Sequence, residues 1–181
     1  MKRVYLTLIL LSFFFSSCIS INKPFFNRSS IEIKEGYLSL KAINENIQKQ
    51  MPLVEQIGTN KIKIVSVTLF ASEDGQYLIG EVEFIFTSFQ IPEGLPAIAR
   101  FKSIIYYIPQ TKEFRLANIS KPEIKFLKEN LLEYVTPQQR KFIPDAIVTK
   151  LKSLVLLKSK RELRAIKSFY VKEGKIKVTF R

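Results

Sequence analysis

Histidine is absent from all 181 residues. With it go the commonest general base near neutral pH and the commonest metal ligand. Cysteine occurs once, at Cys18, so neither an internal disulfide nor a cysteine metal cluster supports the fold. Aspartate occurs only at Asp74 and Asp145, and Asp74 has a turn to explain it. The six glycines are scattered, with no GxGxxG or other phosphate-cradling loop. Glu81 and Glu83 share one strand face, the arrangement a paired-carboxylate hydrolase would need. A solvated outer face accounts for them more simply. No Ser-Lys motif stands out. The expectation is a protein that is not an enzyme and needs no metal or cofactor.

What the chain does have begins at its N-terminus. Lys2 and Arg3 precede an almost wholly apolar run, Val4 to Phe15, and the small residues Ser16 and Ser17 lead to Cys18. A basic start, an apolar centre too short to span a bilayer comfortably, and small residues at its end describe a secretory signal peptide over residues 1–17. Cleavage before the lone cysteine reads as a bacterial lipoprotein site, with Cys18 lipidated on its thiol and acylated on its amine. Phe15 stands where leucine is usual in that motif. Ile19, rather than aspartate, follows the cysteine and points to the outer membrane, facing the periplasm. No second hydrophobic stretch approaches membrane-spanning length.

Hydrophobic residues make up 46% of the chain and aromatics 12%, with fifteen Phe, seven Tyr and no Trp. This is a globular balance. The formal charge is +13, and without Lys2 and Arg3 there remain 27 basic and 16 acidic side chains, a net +11. Such a field attracts anionic lipid, nucleic acid or acidic partners. Export removes nucleic acid and leaves the membrane as the expected partner, through the acyl chains on Cys18 and through headgroups.

Residues 18–30 read as a tether and 31–181 as a single α+β domain. A strand-like stretch over 31–40 is broken at Gly36. Ile43, Ile47 and Met51 then make one apolar stripe of a short helix, ended by Pro52. Residues 61–71 and 77–87 alternate apolar and polar side chains around Glu73-Asp74-Gly75, a hairpin turn. Pro92, Gly94 and Pro96 are expected to break the run. A third strand over 97–108 turns through 109–112 into a fourth over 113–126, where Pro122 marks an edge or a bulge. Helices are expected over 128–135 and 136–152, the second starting at Thr136-Pro137 and kinked at Pro144. A short strand over 154–157, a basic helix over 160–167 and a closing hairpin (169–171 with 176–180) complete the chain.

In order and spacing these elements resemble the small YceB-type lipoproteins of Gram-negative bacteria, a family of uncharacterised function. The likeness rests on the signal segment, Tyr37-Leu-Ser-Leu with Ile43-Asn44 and Ile47, the central hairpin, and strand-turn-strand around Ile104 to Leu116. It extends through Phe142-Ile143-Pro144, Leu154-Val-Leu-Leu157, and Val171-Lys-Glu-Gly-Lys-Ile-Lys-Val178. The resemblance implies a fold like that of the tubular lipid-binding proteins. In it, a curved antiparallel sheet wraps a long C-terminal helix, with an apolar groove for acyl chains between them. It supplies no binding residues.

Candidates therefore come from the apolar faces. They are Val67, Leu69, Leu78, Val82, Phe84, Phe86, Phe101 and Ile105 on the strands, and Phe142, Ile147 and Leu151 on the helix. Each is either ligand lining or plain core. A basic stretch, Lys158, Lys160, Arg161, Arg164 and Lys167, is either a membrane-surface patch or a solvated face. Two functions follow. One is a membrane-anchored lipoprotein that carries or sequesters a phospholipid or another hydrophobic molecule, each buried CH₂ contributing about 0.8 kcal/mol. The other is a structural or adaptor lipoprotein with a closed core, acting through its surface in envelope assembly.

Overall fold

Alternation of apolar and polar residues through the central hairpin demands long strands with one dry face. The structure, a computed structural model describing residues 35–181, has them. The signal segment, Cys18, the tether and residues 31–34 lie outside the described residues. In chain order the elements are β1 (Glu35–Ser39), α1 (Leu40–Gln48), β2 (Leu53–Ile57), β3 (Asn60–Ala71), β4 (Leu78–Ser88), β5 (Ile91–Ile108), β6 (Glu113–Ala117) and β7 (Glu123–Phe126). A 3-10 helix (Glu129–Tyr134), α2 (Pro137–Ser153), β8 (Leu157–Lys158), β9 (Ile166–Lys172) and β10 (Lys175–Phe180) follow. One antiparallel sheet runs β2-β3-β4-β5-β6-β8 with β7 also on β5, and a second runs β1-β10-β9.

The expected fold class does not hold. Strands take 51% of the described residues and helices 22%, and the large sheet curls into a half-barrel with no long C-terminal helix wrapped by it. Only the 17 residues of α2 continue as helix, because Leu154 is extended (ψ 131) and the chain returns to strand pairing. The basic stretch over 160–167 is not helical either. Tyr107 Oη donates to the Arg161 carbonyl (3.4 Å) and accepts from Leu163 N–H (3.2 Å), and Arg181 N–H bonds the Ala165 carbonyl (2.9 Å). Tertiary partners for the backbone override a helical propensity that is only a weak prior.

Strand boundaries differ for reasons of backbone geometry. β2 is an additional strand, pairing Leu53–Ile57 with Asn60–Ile64. β5 runs unbroken through both prolines. The Pro96 carbonyl accepts from Leu127 N–H, just past the end of β7, so the missing proline N–H on that same side costs no ladder bond. Gly94 takes φ +87 beside a register shift between Phe86 and Ser88, a bulge that absorbs the irregularity. The expected fourth strand is instead two, β6 and β7, both on β5. Residues 129–134 form a 3-10 helix, and the pairing expected over 154–157 is confined to Leu157–Lys158.

Helix α1 has three faces. Leu40, Ile43 and Ile47 are buried. Asn44 donates to the Leu69 carbonyl and accepts from Leu69 N–H (both 2.9 Å), and Gln48 donates to the Val67 carbonyl. These amides satisfy the edge of β3 where β2 has ended. Asn46, and Gln50 in the turn just past the helix, donate to the Val155 carbonyl, and Gln50 accepts from Val155 N–H. Leu156 N–H in turn bonds the Phe114 carbonyl of β6. Thus α1 links one margin of the curled sheet to the segment lying on the other, and satisfies backbone groups that would otherwise be exposed edges.

Candidate ligand groove

Between Ala117, opposite Ile104, and Glu123, opposite Arg100, five residues face only three on β5. The excess bulges away. Ser120 holds the base of the bulge: its Oγ accepts from Lys102 N–H (2.9 Å) and its N–H donates to the Lys102 carbonyl (2.8 Å). Asn118 takes φ +48 and Pro122 can donate nothing, so the bulge does not rejoin the ladder until Glu123. Facing it is α2, fixed at its start by a capping box in which Thr136 Oγ1 accepts from Gln139 N–H and Gln139 Oε1 from Thr136 N–H.

Two clefts lie in this space. One, of about 420 Å³, is lined by Ile119, Lys121 and Pro122 on the strand side and by Pro144, Asp145, Val148, Thr149 and Lys152 on the helix. The other, of about 370 Å³, is lined by Pro122, Ile124, Phe126, Leu132, Arg140, Ile143 and Pro144. They share Pro122 and Pro144 as walls and so lie side by side, together lining an open groove between residues 119–126 and α2. Pro122 and Pro144, the walls common to both, are apolar, as are Ile119, Ile124 and Val148 beside them. Lys121 and Lys152 stand at one end and Arg140 at the other, against the single carboxylate of Asp145. Arg140 is held by donating to the Leu132 (3.1 Å) and Val135 (3.2 Å) carbonyls. Each cleft has the size of a small-molecule site, and the cations suit an anionic group joined to an apolar chain.

The residues expected to line a site come together elsewhere. Val67, Leu69, Leu78, Val82, Phe84, Phe86, Phe101, Ile105, Ile147 and Leu151 are at most 2% exposed, and Phe142 packs half-buried against them, in one core. None lines the groove. The basic residues Lys158, Lys160, Arg161, Arg164 and Lys167 are all exposed along an extended segment. Lys158 Nζ lies 3.6 Å from Glu113 and Arg164 reaches the Arg181 carbonyl (3.5 Å). Glu81 pairs with Arg100 (2.8 Å), and Glu83 accepts from Ser66 Oγ, as suits an outer sheet face.

Sequence reasoning marked Pro122 and Pro144 as irregularities but not as walls of one groove. Ile119, Lys121, Ile124 and Val148 carried no signal of their own. Among the described residues no helix is long and apolar enough to cross a membrane. No known protein-family profile and no curated protein matches the chain.

Proposed function

We propose that this protein is a lipoprotein anchored through Cys18 to the outer membrane, facing the periplasm. Its domain holds a lipid or another hydrophobic molecule in the groove between β7 and α2. The signal-like start and lone Cys18 support the anchoring, as does the likeness to YceB-type lipoproteins. The observation that carries ligand binding is the groove itself, with apolar walls at Pro122, Ile124, Pro144 and Val148 and the cations Lys121, Lys152 and Arg140 beside them. An elongated amphiphile would lay its chain along Pro122, Ile124 and Val148 and its anionic group near Lys121 and Lys152. The role is carriage or sequestration, without catalysis.

The test is native mass spectrometry of the chain from residue 19, exported behind a cleavable non-lipoprotein signal and purified from the bacterial periplasm under mild conditions, beside Val148→Trp. Val148 is only partly buried, so the larger ring fills the groove without entering the core. A co-purifying amphiphile that disappears in the variant, at an unchanged melting temperature, is expected. Ligand-free protein, or a ligand retained after the groove is filled, refutes the reading. A surface-acting adaptor is the second reading, favoured by the sealing of the interior around Phe84 and Ile147. It requires ligand-free protein and an envelope function that Val148→Trp leaves intact.

A further inference from the structure

The small sheet β1-β10-β9 buries one face, with Val171, Ile176, Val178 and Phe180 in the core. Its other face is a grid set by register: Tyr37, Lys177 and Tyr170 lie side by side, as do Ser39, Lys175 and Lys172, and Glu35, Thr179 and Ser168. Tyr37 is 68% exposed; Tyr170, in the same row but separated from it by Lys177, is 45% exposed and rests one ring edge on Gly75 of the β3–β4 turn. Residues 158–181 carry nine basic and two acidic side chains, the densest positive charge in the chain. The acidic residues of this region are accounted for. Glu35 pairs with Lys177 (2.9 Å), Glu162 with Lys112 (3.6 Å) and Glu173 with Lys172 (3.8 Å). Lys167 and Lys175 face no carboxylate among the described residues.

We infer that this outward face docks on an anionic phospholipid surface, with Tyr37 and Tyr170 at headgroup level and the lysines around them on the phosphates. Tyrosine, apolar in body and polar at its tip, is enriched at membrane–water interfaces, and lysines reach out from beside it. The inference rests on the anchoring proposed above, which also supplies its geometry. β1 is the first described strand after Cys18, and the sixteen residues between them span at most about 60 Å. The acyl anchor thus delivers the chain into this sheet, and the sheet would fix the orientation of the domain that the anchor alone leaves free.

The chain from residue 19, without lipid anchor, suits the test, because the described residues 35–181 fall within one compact unit. Its sedimentation is measured with vesicles of phosphatidylethanolamine containing about one-third phosphatidylglycerol, and with vesicles lacking the anionic lipid, at about 0.05 M and about 0.5 M salt. Binding to anionic vesicles alone, lost at high salt, is expected. K172Q/K175Q should weaken it about 30-fold, at about 1 kcal/mol for each basic residue near such a surface. K172R/K175R should bind as the parent does. Y37S/Y170S should bind more weakly with an unchanged salt slope. Equal binding to zwitterionic vesicles, or K172Q/K175Q binding at parental strength, overturns docking by this face. Mass measurement of the processed full chain tests lipidation at Cys18 separately. Acylated protein that fails to sediment in its unanchored form refutes the docking face alone, and unacylated mature protein refutes the anchoring.

Discussion

Gly80 lies directly across from Phe101 on β5, and the Phe101 ring covers it, so a methyl group built on Gly80 would overlap three atoms of that ring. Phe101 is 2% exposed and was a candidate for ligand lining, which makes Gly80→Ala a probe of the interior. If the half-barrel enclosed a hollow, the ring would swing into it and the substitution would cost little. In a filled core the ring must press on its neighbours, and overpacking costs about 1–3 kcal/mol. Alanine also restricts the unfolded chain, offsetting about 0.5–1 kcal/mol of that loss. A double-mutant cycle with Phe101→Leu removes this offset, since it enters both legs equally, and isolates the clash as a coupling of about 1–3 kcal/mol. Each kcal/mol lowers the melting temperature by about 2–4 °C in a domain of this size. Urea unfolding followed by far-ultraviolet circular dichroism measures all four proteins. A coupling below about 0.5 kcal/mol would refute the filled core.

Other perturbations follow from the same packing. Ile147→Ala, at a fully buried position on α2, should cost about 2–5 kcal/mol in urea unfolding. Asn44→Leu strands both backbone groups of Leu69 at the uncovered margin of β3 and should cost about 1–3 kcal/mol. Hydrogen exchange at Leu69 should then quicken ahead of its strand neighbours. Ser72 Oγ, then Gln76 N–H, hold the Asp74 carboxylate below its usual range, and Arg115 does the same for Glu113. Groups depressed in this way stabilise the fold above their unfolded values near pH 4 and lose that contribution as pH falls through the lower folded values. Urea midpoints should therefore drop below about pH 4, and Asp74→Asn should flatten part of the drop.

The sequence made individual elements legible wherever a local pattern determined them. Alternation located β3, β4 and β10 almost to the residue, Asp74-Gly75 located their turn (Gly75 φ +67), and Thr136-Pro137 located the start of α2. Where the outcome depended on which neighbour satisfied a backbone group, the pattern was silent. Pro96 could stay within β5 only because β7 ends beside it, and residues 160–167 gave up a helix to bonds with Tyr107 and Arg181. Neither fact is written near the residues it governs.

The same distinction explains the site. Apolar strand faces announce burial, and all eleven candidates lie in or against the core. A groove needs the opposite: backbone that fails to pair, held open beside a rigid element. Here two prolines provide that failure. Pro122 delays the return of the chain to β5, and Pro144 removes the bond to the Arg140 carbonyl within α2, so the two irregular stretches face each other across unfilled space. Breakers in the sequence, rather than its greasiest positions, foreshadow the groove. Filling the space between them at Val148 should then abolish ligand capture while the core, which Val148 does not enter, keeps its stability.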